Sequence, residues 1–209
     1  MARYTEANCR RCRRDGEKLF LKGTRCNTPK CAIARRAFAP GQHGQDRKAK
    51  LSNYGLQLRE KQKTKWIYGV MEKQFRLYFH RAAKTKGVTG RILLQLLERR
   101  LDNVIFRLGL GISRPQARQV VRHNFVYVNG RRVNIPSFLV DKGDVVEVRP
   151  KEKSAKKIKD NLEISKERTV PAWLEFKAAE MKGTVARLPE KEDTDGTIQE
   201  QLIVELYSK

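Results

Sequence analysis

The sequence contains no apolar run that approaches the roughly 18 residues that a membrane-spanning helix needs. Its N-terminus has no apolar stretch after the basic residues, so it does not show the pattern of a secretory signal. Acidic side chains are scarce, with 23 Asp and Glu against 46 Lys and Arg, which leaves a formal net charge of +23. A surplus of this size repels itself unless an anionic partner neutralises it. We therefore expect a soluble, intracellular protein that binds nucleic acid, with a membrane surface or another acidic ligand as the alternative.

The chain has room for one large domain or two small ones. It has 209 residues, of which 39% are apolar, so wholesale disorder is not expected. Residues 1–50 carry 14 Lys or Arg and 4 Asp or Glu, whereas residues 151–209 carry 12 of each kind. We expect the first 150 residues to provide the nucleic-acid surface and the tail to face protein or solvent. For any single run of charges, an ordinary solvated surface is the alternative.

Only four cysteines occur, and all of them fall in one short segment with the spacing C-x2-C-x13-C-x4-C. Two close pairs separated by a loop are typical of tetrahedral Zn²⁺ binding by four thiolates. Disulfides are the alternative in a secreted chain, and an iron–sulfur cluster uses the same ligand set. We expect a structural ion, without which residues 1–31 would not fold, because they hold few large apolar side chains. The predicted metal ligands are Cys9, Cys12, Cys26 and Cys31.

Basic residues surround the cysteine segment and continue beyond it. Arginines flank the first cysteine pair, where they would favour the thiolate form and offset the negative charge of the metal centre. They are Arg10, Arg11, Arg13 and Arg14. Proline, glycine and charge then predict an extended linker over residues 35–50, whose contacts to phosphates would be Arg35, Arg36, Arg47 and Lys48. His43 in this linker is expected to be a polar surface residue or an RNA contact rather than a catalytic base.

Three helices are predicted after the linker. Ser52 can cap a helix over about residues 53–67. Its expected polar face carries Arg59, Lys61, Lys63 and Lys65. A second helix begins near Met71 and a third follows Thr89, each with apolar residues three and four apart. These apolar stripes predict a helical core rather than a cofactor pocket.

A further helix begins at Ser113, a good N-cap that is followed by Pro115 in the first turn. Arg114, Arg118 and Arg122 recur at intervals of four. This spacing predicts a row of arginines that faces outward and suits a phosphate backbone.

A hairpin and a looser tail complete the chain. Asn129-Gly130 predicts a type I′ turn between two strands, directly before Arg131 and Arg132. Residues 144–149 predict another strand. Residues 166–209 indicate short extended pieces, and their last segment is open between a strand and a helix.

The stretch from Arg99 to Pro150 carries four motifs that occur together in a known RNA-binding module. They are R-L-D-N at residues 100–103, S-R-x-Q-A-R-Q at 113–119, V-N-G at 128–130 and K-G-D at 142–144. With them the stretch resembles the module named after ribosomal protein S-four. The same module occurs in some RNA-modifying enzymes and tRNA synthetases, so it indicates RNA rather than a ribosome.

The rest of the chain resembles the S-four family of bacterial small-subunit ribosomal proteins in its cysteine-containing, zinc-binding form. The similarity includes the start "ARYTEANCRRCRRDGEKLFLKGTRC", "APGQHGQ" at residues 39–45, "LREKQK" at 58–63 and the closing "QLIVELYSK". Ala39 stands where the family often has proline. The resemblance implies a primary 16S rRNA-binding protein that acts in the 5′ domain and nucleates assembly of the 30S body. It also implies contact with the fifth small-subunit protein, proximity to the messenger RNA entry path and an influence on translational accuracy.

Together these observations predict an α+β fold. It would combine an N-terminal metal knuckle and helical region with a small α/β RNA-binding module of two helices on a short, mainly antiparallel sheet. The expected divisions are a metal-bound basic arm at 1–50, a helical region at 51–98, the RNA-binding module at 99–165 and an extension at 166–209 that packs back on the helical region. We expect no catalysis, no membrane contact and no free homo-oligomer, and the alternative function is a free-standing RNA-binding regulator.

The predicted RNA contacts are mainly cations. They are Arg3, Arg10, Arg11, Arg13, Arg14, Lys22, Arg35, Arg36, His43, Arg47, Lys48, Arg59, Lys61, Lys63, Arg114, Arg118, Arg122, His123, Asn129, Arg131 and Arg132. Asp102 of the R-L-D-N motif is expected to be a surface or salt-bridge residue rather than a catalyst.

Overall fold

A computed structural model describes residues 3–46, 50–166, 168–194 and 196–208. Two of the predicted RNA contacts, Arg47 and Lys48, lie outside these residues. The chain forms two compact units. The first consists of the described residues of Met1–Ile92 and Thr197–Lys209, and the second is Leu93–Gly196.

The elements follow one another in this order along the chain. The helices are α1 (Cys9–Asp15), α2 (Ala32–Arg35), α3 (Asn53–Tyr68), α4 (Glu72–Lys84), α5 (Thr89–Glu98), α6 (Leu101–Arg107), α7 (Arg114–Arg122), α8 (Glu152–Ser165) and α9 (Glu200–Tyr207). The strands are β1 (Val126–Val128), β2 (Arg131–Arg132), β3 (Val145–Val148), β4 (Leu174–Lys177) and β5 (Lys182–Val185). This mixture of helices with an antiparallel sheet confirms the predicted α+β class.

The predicted start of α3 is confirmed. The Ser52 hydroxyl accepts a hydrogen bond from the Gly55 N–H at 3.2 Å, and this satisfies one of the unpaired donors of the first turn. The helix ends at Gly69, whose φ of 63° lies in the left-handed region that a side chain disfavours. In α4, Phe75, Phe79 and Ala82 are buried at helical spacing, as the sequence predicts.

The last segment of the chain, which the sequence left open between a strand and a helix, forms α9 and packs in the first unit. The Phe79 and Tyr207 rings stack with centroids 4.5 Å apart. The Gln199 N–H donates to the Glu60 carboxylate at 2.8 Å, and Gln57 donates to Glu205 at the same distance. The final segment is therefore a helix held against α3, while the described residues from Arg168 to Gly196 belong to the second unit.

The second unit contains one five-stranded sheet with the order β2-β1-β3-β5-β4. All of its named pairings are antiparallel. Asn129 and Gly130 have φ of 49° and 77°, which agrees with the type I′ turn predicted between β1 and β2. The core of this unit joins the sheet to the helices, with Leu101, Val121 and Trp173 fully buried. The Lys-rich stretch after residue 150 forms α8, a helix that the sequence analysis did not predict.

Candidate nucleic-acid interface

The four cysteines gather in the first unit. Cys9 and Cys12 lie on α1, Cys26 lies in a 3₁₀ turn over Gly23–Asn27, and Cys31 directly precedes α2. All four are free thiols, and all but Cys9 are buried. The Cys12 thiol interacts electrostatically with Cys9, Cys26 and Cys31, and the Cys26 thiol interacts with Cys9 and Cys31. The four cysteine side chains therefore lie near one another.

Burial raises the pKa of the Cys12 and Cys26 thiols above the usual range. Backbone N–H groups of Leu19 and Lys22 oppose this rise, and the Lys22 N–H lies 3.4 Å from the Cys26 sulfur. For both thiols, burial therefore outweighs these two hydrogen bonds. Within the described ranges, no group of three or more His, Cys, Asp or Glu side chains has the geometry to hold an ion. Zinc stays a prediction, which rests on a donor set of four neighbouring free thiols.

Two arginines of α1 have structural contacts. The Arg11 guanidinium lies 3.5 Å from the centroid of the Tyr4 ring, a close cation–π contact. Arg13 donates from Nε to the Phe38 carbonyl at 2.9 Å and from Nη2 to the Ala39 carbonyl at 3.2 Å. Both side chains are half-buried, so they position the arm. The predicted contacts of this arm that are exposed are Arg3, Arg10, Arg14, Lys22, Arg35, Arg36 and His43.

Five cations surround one pocket of about 180 Å³ in this arm. Its lining consists of Arg13, Arg25, Lys30, Ala32, Arg35 and Arg36. No acidic side chain is among these residues. Such a concentration of positive charge favours an anionic group. Arg25 and Lys30 were absent from the sequence prediction, because each stands alone beside a cysteine and outside any visible basic run.

The cations of α3 differ from the prediction of an exposed basic face. Lys63 is buried, and its Nζ donates to the Thr197 carbonyl at 2.7 Å and lies 3.2 Å from the Glu60 carboxylate. Lys61 and Lys65 both pair with Glu72, at 3.0 and 2.6 Å. These ammonium groups are already compensated inside the unit, so they are poor candidates for phosphate contacts.

The other cations of the first unit include one predicted contact with a backbone partner and several exposed residues that were not predicted. Arg59 donates to the backbone carbonyl of Arg14 at 2.8 Å. Several exposed cations on α4 and after it were absent from the predicted RNA contacts, because the sequence of that helix was interpreted only through its buried apolar stripe. They are Lys73, Arg76, Arg81, Lys84, Lys86 and Arg91.

In the second unit, the R-L-D-N motif builds a buried ion-pair network. The Asp102 carboxylate accepts from Arg100 Nε at 3.0 Å, from Arg100 Nη2 at 2.7 Å and from Arg118 Nη1 at 3.1 Å. The side chains of Asp102 and Arg100 are 7% and 2% exposed. Asp102 is therefore a buried salt-bridge residue, and Arg118 is directed to it rather than outward.

A second network lies beside the first. Asn103 donates to the Glu98 carboxylate at 2.6 Å and accepts from Arg114 Nε at 2.8 Å. Arg107 forms two hydrogen bonds to the same carboxylate, at 3.0 and 2.6 Å. The outward row of arginines predicted on α7 is thus wrong for Arg114 and Arg118, whose guanidinium groups tie α7 to α6. Arg122 alone of the three is exposed.

Two arginines lie against one aromatic ring near this network. The guanidinium carbons of Arg114 and Arg168 lie 4.5 and 4.3 Å from the centroid of Phe106. Arg168 also donates to the carbonyls of Phe106 and Ile112. Burial lowers the pKa of Arg168, and the charges of Arg114 and Arg107 lower it further. Sequence reasoning missed Arg168, because nothing in the local sequence indicates its distant stacking partner.

The V-N-G and K-G-D motifs meet at the end of the hairpin. Asn129 donates to the Asp144 carboxylate at 2.8 Å, and its own side-chain oxygen accepts from the Val145 N–H at 2.9 Å. Asp144 also accepts from the Asp141 N–H at 2.7 Å. Asn129 therefore joins two loops. The predicted contacts of this unit that remain exposed and form no such bond with another described residue are Arg122, His123, Arg131 and Arg132.

Two family models match consecutive parts of the chain. Residues 3–98 match the family described as the ribosomal protein S4/S9 N-terminal domain, and residues 99–146 match the S4 domain. Small ribosomal subunit protein uS4 of Pelotomaculum thermopropionicum and that of Acetivibrio thermocellus are both 62% identical over 209 residues, which is 100% of each chain. The protein of that name from Thermodesulfovibrio yellowstonii is 59% identical over the same length.

No helix within the described residues is both long and apolar enough to cross a membrane. The family matches cover most of the chain, and the full-length identity to three relatives is far above chance similarity. The exposed cations, the motif networks and these matches lead to one assignment: the chain belongs to the S4 family of ribosomal proteins.

Proposed function

We propose that this protein is a non-catalytic structural constituent of the small ribosomal subunit in the cytoplasm and that it binds 16S rRNA directly. The observation that carries the proposal is the basic pocket, where five cations converge and no lining side chain is acidic. In contrast, Lys61, Lys63 and Lys65 of α3 have carboxylate partners and need no external anion. The relatives named small ribosomal subunit protein uS4 support the same assignment over the full length.

The physical mechanism is recognition of RNA shape through phosphates. RNA duplexes hide their base edges in a deep and narrow groove, so proteins contact the backbone, the shallow groove and unpaired regions. The basic pocket and the exposed Arg122, Arg131 and Arg132 would each hold a separate stretch of backbone. Within each unit, rigid elements that hold several RNA segments would fix the mutual arrangement of those segments. This is how binding at a junction of the 5′ domain would nucleate the body of the 30S subunit.

The finer parts of the proposal follow the family resemblance. The protein would contact the fifth small-subunit protein, lie near the messenger RNA entry path and contribute to translational accuracy. The C-terminal segment after α8 would supply a surface for protein rather than RNA, since residues 166–209 carry 7 basic and 9 acidic side chains.

We also propose that Cys9, Cys12, Cys26 and Cys31 hold a structural zinc ion. The observation in support is the neighbourhood of four free thiols, with a backbone N–H donated to the Cys26 sulfur. Four thiolates close the coordination sphere of zinc, so the ion would order the arm and take no part in catalysis. Elemental analysis of the purified protein, together with its visible absorption spectrum, separates zinc from an iron–sulfur cluster.

The decisive experiment is binding to full-length 16S rRNA against a large excess of tRNA, at moderate salt and with zinc present. Saturable one-to-one binding that survives the competitor and maps to the 5′ domain supports the proposal. Binding that tRNA removes means a generic polyanion surface, and a free-standing RNA-binding regulator then becomes the better assignment. If about 6–10 phosphates are neutralised, affinity should fall by roughly 10³–10⁵ between 50 and 200 mM salt.

Two variants test where the phosphates bind. Arg25→Ala combined with Arg36→Ala removes two cations of the pocket and should reduce the slope of log affinity against log salt by about 2. Lys61→Met is the matched control, because that ammonium is paired with Glu72 inside the protein. A salt slope that the double variant leaves unchanged would contradict the assignment of the pocket to the RNA backbone.

A further inference from the structure

A groove of about 160 Å³ lies between α7 and α8 in the second unit. Its apolar lining is formed by Val120, Phe125 and Ile158. Pockets for drug-sized ligands typically measure about 300–1,000 Å³. The groove therefore suits a single small ring system.

One end of the groove is fixed by a pair of amides. The Gln116 side chain accepts from the Ile112 N–H at 2.9 Å and donates to the Asn161 oxygen at 3.1 Å. Asn161 in turn donates to the Leu110 carbonyl at 3.3 Å. These three bonds connect α8 to α7 and to the loop before it, so the shape of the groove is set by the fold.

The remaining polar side chains of the groove have no such role. Gln119, His123, Ser154 and Lys157 all line it, and none of these side chains forms a hydrogen bond or ion pair with another described residue. The His123 ring meets the Phe125 ring edge to face, with centroids 5.9 Å apart. The groove thus offers amide, hydroxyl, imidazole and ammonium groups above an apolar floor.

The charge around the groove is positive. No acidic side chain lines it. The exposed side chains of the two helices include five cations, Arg122, Lys153, Lys156, Lys157 and Lys159, and three acids, Glu152, Asp160 and Glu163. An anionic chain is therefore favoured along its edge, and a basic or purely apolar occupant does not match the mixture of groups inside.

We propose that this groove accepts one unpaired nucleobase of an RNA strand. A nucleobase has apolar faces that fit between Val120, Phe125 and Ile158, and a polar edge that can bond to the amide of Gln119 and to its neighbours. The phosphate attached to that nucleotide would pair with Lys157 at the rim. Proteins that recognise RNA specifically use unpaired bases in this way, through stacking and edge hydrogen bonds. The inference rests on the proposed function, because it names the part of the RNA that one surface of the protein recognises.

The first test uses the full chain and no ribosomal RNA. The probes are the four nucleoside 5′-monophosphates, and ribose 5-phosphate is the control that lacks a base. We expect nuclear magnetic resonance shifts of the Gln119 side-chain amide and the His123 ring with at least one nucleotide, and none with ribose 5-phosphate. Equal shifts with ribose 5-phosphate, or no shift with any nucleotide at millimolar concentration, would overturn the proposal.

The second test uses 16S rRNA and a charge-matched pair of variants on α8. Lys157→Met removes a cation that lines the groove, and Lys156→Met removes an exposed cation beside it. Gln119→Ala removes an edge contact without changing charge. We expect Lys157→Met and Gln119→Ala to weaken binding by about tenfold. In both variants, one base that the wild type protects should become reactive to dimethyl sulfate, whereas the Lys156→Met variant should still protect that base.

The outcomes separate this inference from the proposed function. Equal losses for Lys157→Met and Lys156→Met with unchanged base reactivity would mean a general charge effect and would overturn the base site. If the wild type fails to bind 16S rRNA specifically, the proposed function is wrong, and the nucleotide titration still decides the chemistry of the groove. Circular dichroism of each variant excludes a loss of fold as the cause.

Discussion

Replacing Asp102 with asparagine should destabilise the second unit strongly. The side chain has nearly the same volume, but the change removes the charge that compensates Arg100 and Arg118. Arg100 is 1% exposed as a residue, so water cannot replace the lost carboxylate. Removing one member of a buried ion pair costs about 3–5 kcal/mol, because the buried guanidinium groups lose a compensating charge.

This magnitude can be measured by thermal and urea unfolding of the full chain, followed by circular dichroism. A loss of about 3–5 kcal/mol corresponds to a fall in melting temperature of roughly 6–20 °C for a chain of this size. Asp160→Asn, at an exposed position of α8, is the control and should change the unfolding free energy by less than about 0.5 kcal/mol.

A double-mutant cycle then identifies the partner. Arg118→Ala alone should cost less than Asp102→Asn, because Asp102 retains its two hydrogen bonds from Arg100. The combined variant should show a coupling of about 0.5–3 kcal/mol. If Asp102→Asn costs less than about 1 kcal/mol, or if the two changes are additive, the view of the R-L-D-N motif as a structural network is refuted.

Three further predictions concern the first unit. Burial raises the pKa of Asp15 to about 6, and one of its carboxylate oxygens is buried with no hydrogen-bond partner among the described residues. Asp15→Asn should therefore raise the unfolding free energy by about 1 kcal/mol at pH 7, where the carboxylate is charged. Near pH 3, where Asp15 is protonated, the same change should leave the unfolding free energy unchanged. Urea melts at the two pH values check this, and an equal effect at both would contradict it. Burial alone would raise the pKa of Glu72, but hydrogen bonds from Lys65 and Lys61 lower it to about 2. The stability that Glu72 contributes is therefore complete above pH 4.5 and is lost as pH falls towards 2. Because Glu72 is partly exposed, Glu72→Gln should lower the unfolding free energy by only about 1 kcal/mol at pH 7. A loss that persists below pH 2 would argue against the pairing. Cys26→Ser or chelation should make residues 1–31 sensitive to protease while the rest of the chain resists, whereas identical cleavage with and without metal would refute a structural ion.

Local chemistry made part of the fold predictable. The Ser52 cap and the Asn129-Gly130 turn depend on residues within a few positions of one another, so the sequence shows them directly. The apolar stripe of α4 is likewise a local periodic signal. For these elements, propensity and burial favour the same structure, and prediction succeeds.

The roles of individual cations were not predictable in the same way. A lysine on a helix has the same local signature whether it faces a phosphate or a carboxylate of its own chain. Lys63 donates to the carbonyl of Thr197, and Arg118 pairs with Asp102 from another helix. These partners are brought together only by the tertiary fold, so spacing along one helix could not reveal them. The exposed Arg122 belongs to the same row of arginines and differs only in lacking such a partner among the described residues.

The pairing of α9 with α3 has a consequence for synthesis of the chain. The Lys63–Thr197 and Glu60–Gln199 hydrogen bonds join residues more than 130 positions apart, and Tyr207 bonds to Glu72. The second unit is continuous in sequence, so all of its residues emerge from a translating ribosome before α9 does. The first unit starts at the N-terminus yet is completed last, because it closes only when the final residues are free to pack. A chain that stops before residue 197 would therefore carry a complete RNA-binding module beside a helical unit that lacks its closing helix.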